Sequence, residues 1–387
     1  METEKLFYTD AYQKAFEAKV VSCEKSSDGY ALELNRTCFY PEGGGQPADK
    51  GTLEAETGKV QVLDVKEKDG RILHLTDKPI EPDMLAKGEI SWPWRFQLMQ
   101  SHSGEHIVSG VIKALFKLDN VGFHMGTDFV TIDTSGPLTE EQAYRVEAEA
   151  NRAIWENRKV ICRFPPEEEL RDMAYRAKKA ISGAVRIVEI TGADLCACCG
   201  LHVANAGEIG IVKIVGLQKW KSGVRISMLA GNMAYLDYAK KCKAVAEIGA
   251  FLSSKQDDAV GAVKRLMEQI SGLKEQIYQM NRREDERKAA SIPQGQKLAF
   301  FFEDNMAPDD LRLLSLALAK RAVVAAAFSK AGEGHKYALA SLSVDARKIA
   351  AEMNAALNGR GGGKSELVQG SVAADRESIE KFLEKCN

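Results

Sequence analysis

Over the first 90 positions, apolar and polar residues alternate in short runs, at 18–23, 30–34, 60–65 and 71–75, separated by turn-forming residues. A period of two puts the apolar side chains on one face of a strand, so runs at this spacing predict a small β-barrel or sandwich. The period changes after residue 91. Between Phe96 and Lys117 there is no proline, and Leu98, Met99, Ile107, Val111, Ile112 and Leu115 recur at the helical spacing, which predicts a helix. Strands are predicted at 130–133, 185–190, 209–215 and 223–228. An amphipathic helix is predicted at 139–158, opened by the capping pattern Thr139-Glu140-Glu141-Gln142, and a charged helix at 167–180.

From 233 to about 290 glycine becomes scarce and helix formers dominate. Val263, Leu266, Ile270, Leu273, Ile277 and Met280 keep a three-four spacing, the seam of a coiled coil. The polar stretch 253–258 breaks the helix before that seam, leaving an antiparallel helical pair or a dimerisation element as the readings. After Ile292-Pro293-Gln294-Gly295 a separate α/β unit is predicted: strands at 298–302, 322–328, 337–344 and near Leu367, with helices at 308–321, 345–357 and 376–385. The expected fold is a multidomain α+β chain. Its parts are a β-barrel at 1–90, an α/β domain at 91–235, a helical spacer at 236–292 and a C-terminal α/β domain at 293–387.

Charge and composition narrow the chemistry. A net charge of −2 over 387 residues gives no bulk attraction to polyanions, so nucleic-acid contacts must come from local basic patches. The N-terminus lacks a basic-then-apolar leader and no apolar run is long enough to span a bilayer; the expectation is a cytoplasmic protein without membrane contact. Eight cysteines, three of them within 196–199, read as reduced thiols and ligands rather than a disulfide framework.

His102 and His106, four apart on the expected helix, share one face, and Cys198 and His202 can be brought together by a turn containing Gly200. Three imidazoles and one thiolate suit a single zinc ion per chain. A histidine pair at this spacing also arises by chance, so the cysteine cluster carries more of the weight, and Cys196 or Cys199 are rivals to Cys198. His102-Ser103-Gly104-Glu105-His106 also fits the pattern of inverted zinc peptidases, in which Glu105 would be the general base. Such a peptidase needs an open coordination position, whereas here Cys198 and His202 are available to fill the shell.

Two glycine-rich stretches stand out. Gly43-Gly44-Gly45, before Gln46, permits positive φ and close approach of backbone to a ligand, and reads equally as a plain hairpin turn. The stretch 359–365 is not a nucleotide phosphate loop: Asn358 stands where the first glycine is required, and the expected order is helix, loop, strand. Arg360 and Lys364 within it could hold a nucleic-acid phosphate; the alternative is a helix C-cap with solvated charges.

The glycine-rich motif of residues 39–51, followed by His102-x-x-x-His106 and Cys198-x-x-x-His202, resembles the editing module of alanyl-tRNA synthetase. The combination looks most like the long form of the stand-alone alanyl-tRNA editing proteins. The last 95 or so residues resemble the DHH-associated domain that ends both. The resemblance covers nearly the whole chain in order and includes no aminoacylation domain, so no tRNA charging is expected.

It implies hydrolysis of tRNA(Ala) mischarged with serine or glycine. A pocket shaped for alanine cannot strongly exclude either, so a second hydrolytic site is needed. His102, His106, Cys198 and His202 are implied as zinc ligands, Thr37 as the residue that senses the serine hydroxyl, and Gly43, Gly44, Gly45 and Gln46 as the pocket lining. Glu105 stays a candidate base. The tRNA would meet Arg360 and Lys364 and the basic groups Arg158, Lys159, Arg163, Arg176, Lys178, Lys179, Lys219 and Lys221. A homodimer could form through the spacer or the C-terminal domain. The family pattern after the cysteine is usually Gly-Gly-Thr-His; here it is Cys199-Gly200-Leu201-His202. The competing readings are a zinc peptidase and a tRNA-binding module whose zinc is structural.

Overall fold

The computed structural model describes residues 2–177 and 184–385, and divides into two compact units, Met1–Ala244 and Val245–Asn387. In the first, six strands close into an antiparallel barrel in the order Ala15–Ser26, Gly29–Leu34, Arg71–Thr76, Gly58–Lys68, Gly51–Ala55, Leu85–Ile90. The alternation in sequence sets its inside: Phe16, Ala18 and Val20 are buried while Glu17 and Lys19 between them are exposed. Closure leaves no free edge.

The helix Trp92–Phe116 is the spine of this unit, and every residue from Leu98 to Gly110 is buried. Such a helix must admit neighbours on all sides. Gly110 does so, since a Cβ there would lie 2.1 Å from the Ala193 carbonyl oxygen. Arg95 in its first turns is fully buried and forks onto Asp49, with Nε 2.9 Å from Oδ1, while donating to the Cys38 carbonyl. Around the helix lie a four-stranded sheet, in the order Val212–Trp220, Gly223–Ala230, Val130–Thr134, Asn120–Met125, and a three-stranded sheet of Val160–Arg163, Ile187–Ile190 and Asp194–Ala197. The helix Glu140–Trp155 opens with the expected capping box, Thr139 and Gln142 bonding each other's backbone.

Two expectations fail in this unit. The charged helix of 167–180 runs only over Glu167–Asp172. Met173 is extended, and Arg176 joins the sheet, donating its N–H to the Leu195 carbonyl and accepting that of Ala197. Pairing with a formed sheet overrides a helix-favouring composition. Lys178 and Lys179 lie outside the described residues. The run at 209–215 is a strand only from Val212; Ile209 ends a short 3-10 turn, Ala206–Ile209.

In the second unit the helix Ala259–Ala290 precedes a five-stranded sheet ordered Gln296–Glu303, Ala322–Ala331, Gly334–Ala340, Leu367–Val372, Gly359–Lys364. Leu311, Leu314 and Leu318 pack with Ala325, Ala327, Ala338 and Ala340 in one core, and Met353, Ile379 and Leu383 pack with Phe328, Tyr337 and Leu339 in another. The alternation along the strands thus feeds two opposite faces. The glycine stretch at 359–364, expected as a loop, is one of the two edge strands. Gly361 permits it: a Cβ there would lie 2.5 Å from the Tyr337 hydroxyl and 2.7 Å from the Gln369 carbonyl. Among the described residues, no helix is long and apolar enough to cross a membrane.

Candidate metal centre

The spine helix presents His102 and His106 one turn apart, and the loop after Asp194–Ala197 carries Cys198 and His202 to them across the chain. One donor atom from each of the four lies within 4.8 Å of the other three. Ring centroids are 5.3 Å apart for His102 and His106, 4.5 Å for His102 and His202, and 4.6 Å for His106 and His202. Cys198 Sγ is 3.4 Å from His102 Nε2. A tetrahedral zinc ion with bonds of about 2.0–2.3 Å separates its donors by roughly 3.3–3.8 Å, so that spacing fits the ion.

Each imidazole is held from behind through Nδ1. His106 Nδ1 is 2.9 Å from Asp194 Oδ2, and Arg176 grips both oxygens of Asp194 at 2.7 Å. Burial pushes the Asp194 carboxyl up, but the hydrogen bonds from His106 and Arg176 outweigh it and hold it below its ordinary value. An anionic partner keeps the proton on Nδ1 and the lone pair on Nε2. His102 Nδ1 is 2.9 Å from Gln46 Oε1, which also accepts the Leu201 N–H at 2.9 Å. Because a backbone N–H can only donate, Leu201 fixes which end of the Gln46 amide is oxygen, and His102 must then donate from Nδ1. His202 Nδ1 is 3.2 Å from Ser103 Oγ, which takes the Val203 N–H at 3.1 Å. Oriented imidazoles with Nε2 turned inward are the arrangement a zinc site requires.

The loop is tightly specified. A Cβ on Gly200 would fall 2.1 Å from His102 Cε1 and 2.9 Å from Gln46 Oε1, so no side chain fits. Leu201, where the family pattern has threonine, is fully buried in the main apolar core. Cys199 is exposed, 3.7 Å from the Tyr40 hydroxyl, and its sulfur occupies the space above Gly44. Cys196 is buried and groups instead with His106 and Asp194. Burial, and then the nearby Cys199, push the Tyr40 phenol well above its ordinary value.

The triple-glycine stretch is a tight turn: Gly43 and Gln46 exchange both backbone hydrogen bonds, and Gly44 and Gly45 have φ of 59° and 83°. Two successive positive φ values make it a hairpin turn that only residues like glycine adopt easily. It sets Gln46, fully buried, behind His102. Thr37 is buried against the barrel, with Oγ1 2.8 Å from His74 Nε2 and accepting the Phe39 N–H at 3.0 Å. His74 Nδ1 lies 3.1 Å from the Leu32 carbonyl, and burial lowers its pKa to about 4, so the ring is neutral with its proton on Nδ1.

Glu105 does not belong to the donor group. Its carboxylate accepts from Ser109 Oγ at 2.6 Å and Asn120 Nδ2 at 2.5 Å. Of the basic groups, Arg176 is committed to Asp194, Arg163 to Glu169, and Arg158 to Glu156 and the Gly192 carbonyl. Arg360 and Lys364 stand on the exposed glycine strand of the second unit. Sequence reasoning missed Asp194, Ser103 and His74. Their roles are tertiary, and the one available signal was that Asp194 falls just before the cysteine cluster.

Three family models match successive parts of the chain: tRNA synthetases class II (A) over residues 2–90, the threonyl and alanyl tRNA synthetase second additional domain over 185–227, and the DHHA1 domain over 295–387. The alanyl-tRNA editing protein AlaX-L of Pyrococcus horikoshii is 28% identical, over 97% of this chain and 96% of that protein. The alanine–tRNA ligase of Ignicoccus hospitalis is 29% identical over 99% of this chain but only 42% of its own length, and the alanyl-tRNA editing protein Aarsd1 of Mus musculus is 30% identical over 66% of each. The chain is thus related along nearly its whole length to the long-form alanyl-tRNA editing proteins.

Proposed function

We propose that the protein is a zinc-dependent aminoacyl-tRNA hydrolase that clears tRNA(Ala) mischarged with serine or glycine, acting in the cytoplasm and in trans on tRNA charged elsewhere. The observation that carries this reading is the convergence of two distant motif halves into one oriented donor set, its three imidazoles buried, beside the glycine turn. It occurs in a chain that aligns end to end with an editing protein.

His102, His106, Cys198 and His202 would hold one zinc ion. When bound, it would supply a Lewis acid for the ester carbonyl or for a hydrolytic water. The remaining chemistry belongs to the chain. Gln46 Oε1 is engaged by His102 and Leu201, and its Nε2 has no hydrogen-bond partner among the described residues although the side chain is fully buried. An unsatisfied buried donor is costly, so this amide is the group to donate to the substrate's carbonyl oxygen. Thr37 would distinguish serine from alanine. His74 carries its proton on Nδ1, so its Nε2 takes the Thr37 hydroxyl proton, and Phe39 N–H takes one lone pair. The hydroxyl oxygen is left able only to accept, a partner for the O–H of serine that alanine cannot supply. Arg360 and Lys364 would contact tRNA phosphates, and the apolar stripe from Val263 to Met280 would form a homodimer seam.

The peptidase reading is disfavoured by Glu105, whose carboxylate is occupied by Ser109 and Asn120. The deciding experiment offers the protein seryl-, glycyl- and alanyl-tRNA(Ala) and, separately, casein, with and without a chelator. Selective, chelator-sensitive release of serine or glycine is expected. Casein cleavage, or tight tRNA binding with no release, overturns the proposal.

A further inference from the structure

In the three-stranded sheet, Arg163 stands opposite Ile187, and Ile187 opposite Ala197. The next position on each strand therefore continues one row across the sheet end: Phe164, Arg186 and Cys198. The ladder extends to that row between Arg186 and Cys198, where the Cys198 N–H donates to the Arg186 carbonyl at 3.0 Å, and Phe164 follows the last paired residue of its own strand. Two interstrand steps of about 4.8 Å put Phe164 roughly 10 Å from the cysteine of the metal centre.

The row combines aromatic and cationic side chains. Pro165 follows Phe164 and holds it in an extended conformation, and its ring is half exposed, at 50%. The Phe164 and Tyr8 rings meet edge to face, with centroids 5.6 Å apart. The Arg186 guanidinium lies 5.1 Å from the Tyr8 centroid, while its Nη1 donates to the carbonyls of Cys198 at 3.0 Å and Gly200 at 2.7 Å. What sets Phe164 apart is its place, one side chain away from the loop that carries a candidate metal donor. Half-exposed Phe164 thus lies one row position from Arg186 and two from Cys198, with Arg186 as the joint between them.

An ester between an amino acid and the 3′ end of a tRNA carries a purine one ribose away from the scissile carbonyl. Resting on the function proposed above, we propose that Phe164, backed by Tyr8 and Arg186, is the stacking platform for that terminal adenine. Aromatic side chains hold single-stranded bases by face contact, and arginine adds attraction for the ring. The platform fixes the ester over the metal centre through the nucleoside, leaving the amino-acid side chain to Thr37. It is a binding group and takes no part in bond breaking.

The test compares the full-length protein with Phe164→Ala and Phe164→Trp. Phe164 is half exposed, so folding is expected to survive, and zinc content with thermal melting verifies it. With seryl-tRNA(Ala), Phe164→Ala raises KM about tenfold with kcat nearly unchanged, and Phe164→Trp restores KM. Direct binding is read with the hydrolysis-resistant probe 3′-seryl-amino-3′-deoxyadenosine and with the same seryl amide on a ribose lacking the base. The alanine variant binds the adenosine probe about tenfold more weakly than wild type and the base-free probe equally well. Equal loss on both probes, a fall in kcat without a change in KM, or no loss at all overturns the platform. If wild-type protein releases no serine or glycine from tRNA(Ala), the deacylase reading itself has failed, which the two binding probes distinguish from failure of the platform alone.

Discussion

The two compact units handle polarity in opposite ways. In Met1–Ala244, charged and polar groups are buried in number and many are paired: Arg95 with Asp49, His74 with Thr37 and Leu32, Asp194 with Arg176 and His106. In Val245–Asn387 the pattern is reversed. The buried polar side chains there are Asp285 and three serines among the described residues, while six apolar side chains of the long helix, Val263 to Met280, are 40–66% exposed. Buried polar networks fix a geometry at some cost in stability, whereas an open apolar stripe and a glycine-rich edge strand hold contact surface in reserve. The first unit is therefore organised around precise placement of atoms, while the second leaves apolar and glycine-rich surface open.

The largest expected break in this contrast comes from the buried ion pair. Asp49→Ala strands the Arg95 charge and lowers the stability of the first unit by about 3–5 kcal/mol in urea titration, while a transition assigned to the second unit stays in place. Next comes pH. His74 has a folded pKa of about 4 against an ordinary 6.5, so as pH falls the unfolded chain takes up the proton before the folded one. The stability of the first unit is then full above pH 6.5, is lost between 6.5 and 4 by about 3 kcal/mol, and levels off below. His74→Gln flattens that slope while lowering the starting value, and a slope unchanged by the substitution would remove His74 as its source.

A smaller effect is expected behind the metal centre. Asp194→Asn loosens His106 and weakens zinc retention about 10- to 100-fold in chelator competition, with the fold intact by circular dichroism. In the second unit, Arg360→Ala with Lys364→Ala lowers the salt slope of tRNA binding by about 2, with little change in turnover of bound substrate. Smallest of all, Ile270→Lys alters monomer stability by no more than about 0.5 kcal/mol, and any larger consequence appears as lost self-association in sedimentation. A loss of several kcal/mol at Ile270 would mean that the two units do not differ as described.

What the sequence made legible was whatever local periodicity encodes. The barrel runs, the spine helix and the capping box at Thr139 follow from spacing alone, as does the shared face of His102 and His106. The hidden features are those decided by a partner distant in the chain. Residues 173–177 leave the helix because Arg176 finds a ladder beside Cys196, and a run of glycines at 359–364 has no side-chain alternation to betray a strand that Leu367–Val372 imposes on it. Asp194 and Ser103 looked like ordinary polar positions. Their importance appears only once the imidazoles they touch have been placed.

The donors from the spine helix and those from the cysteine loop are separated by 96 residues between His102 and Cys198. During synthesis at roughly 5–20 residues per second, the ribosome delivers the second pair about 5–20 seconds after the first. For that interval the nascent chain carries two imidazoles whose future partners do not yet exist, and the spine helix has no strand from 212–230 to lie against.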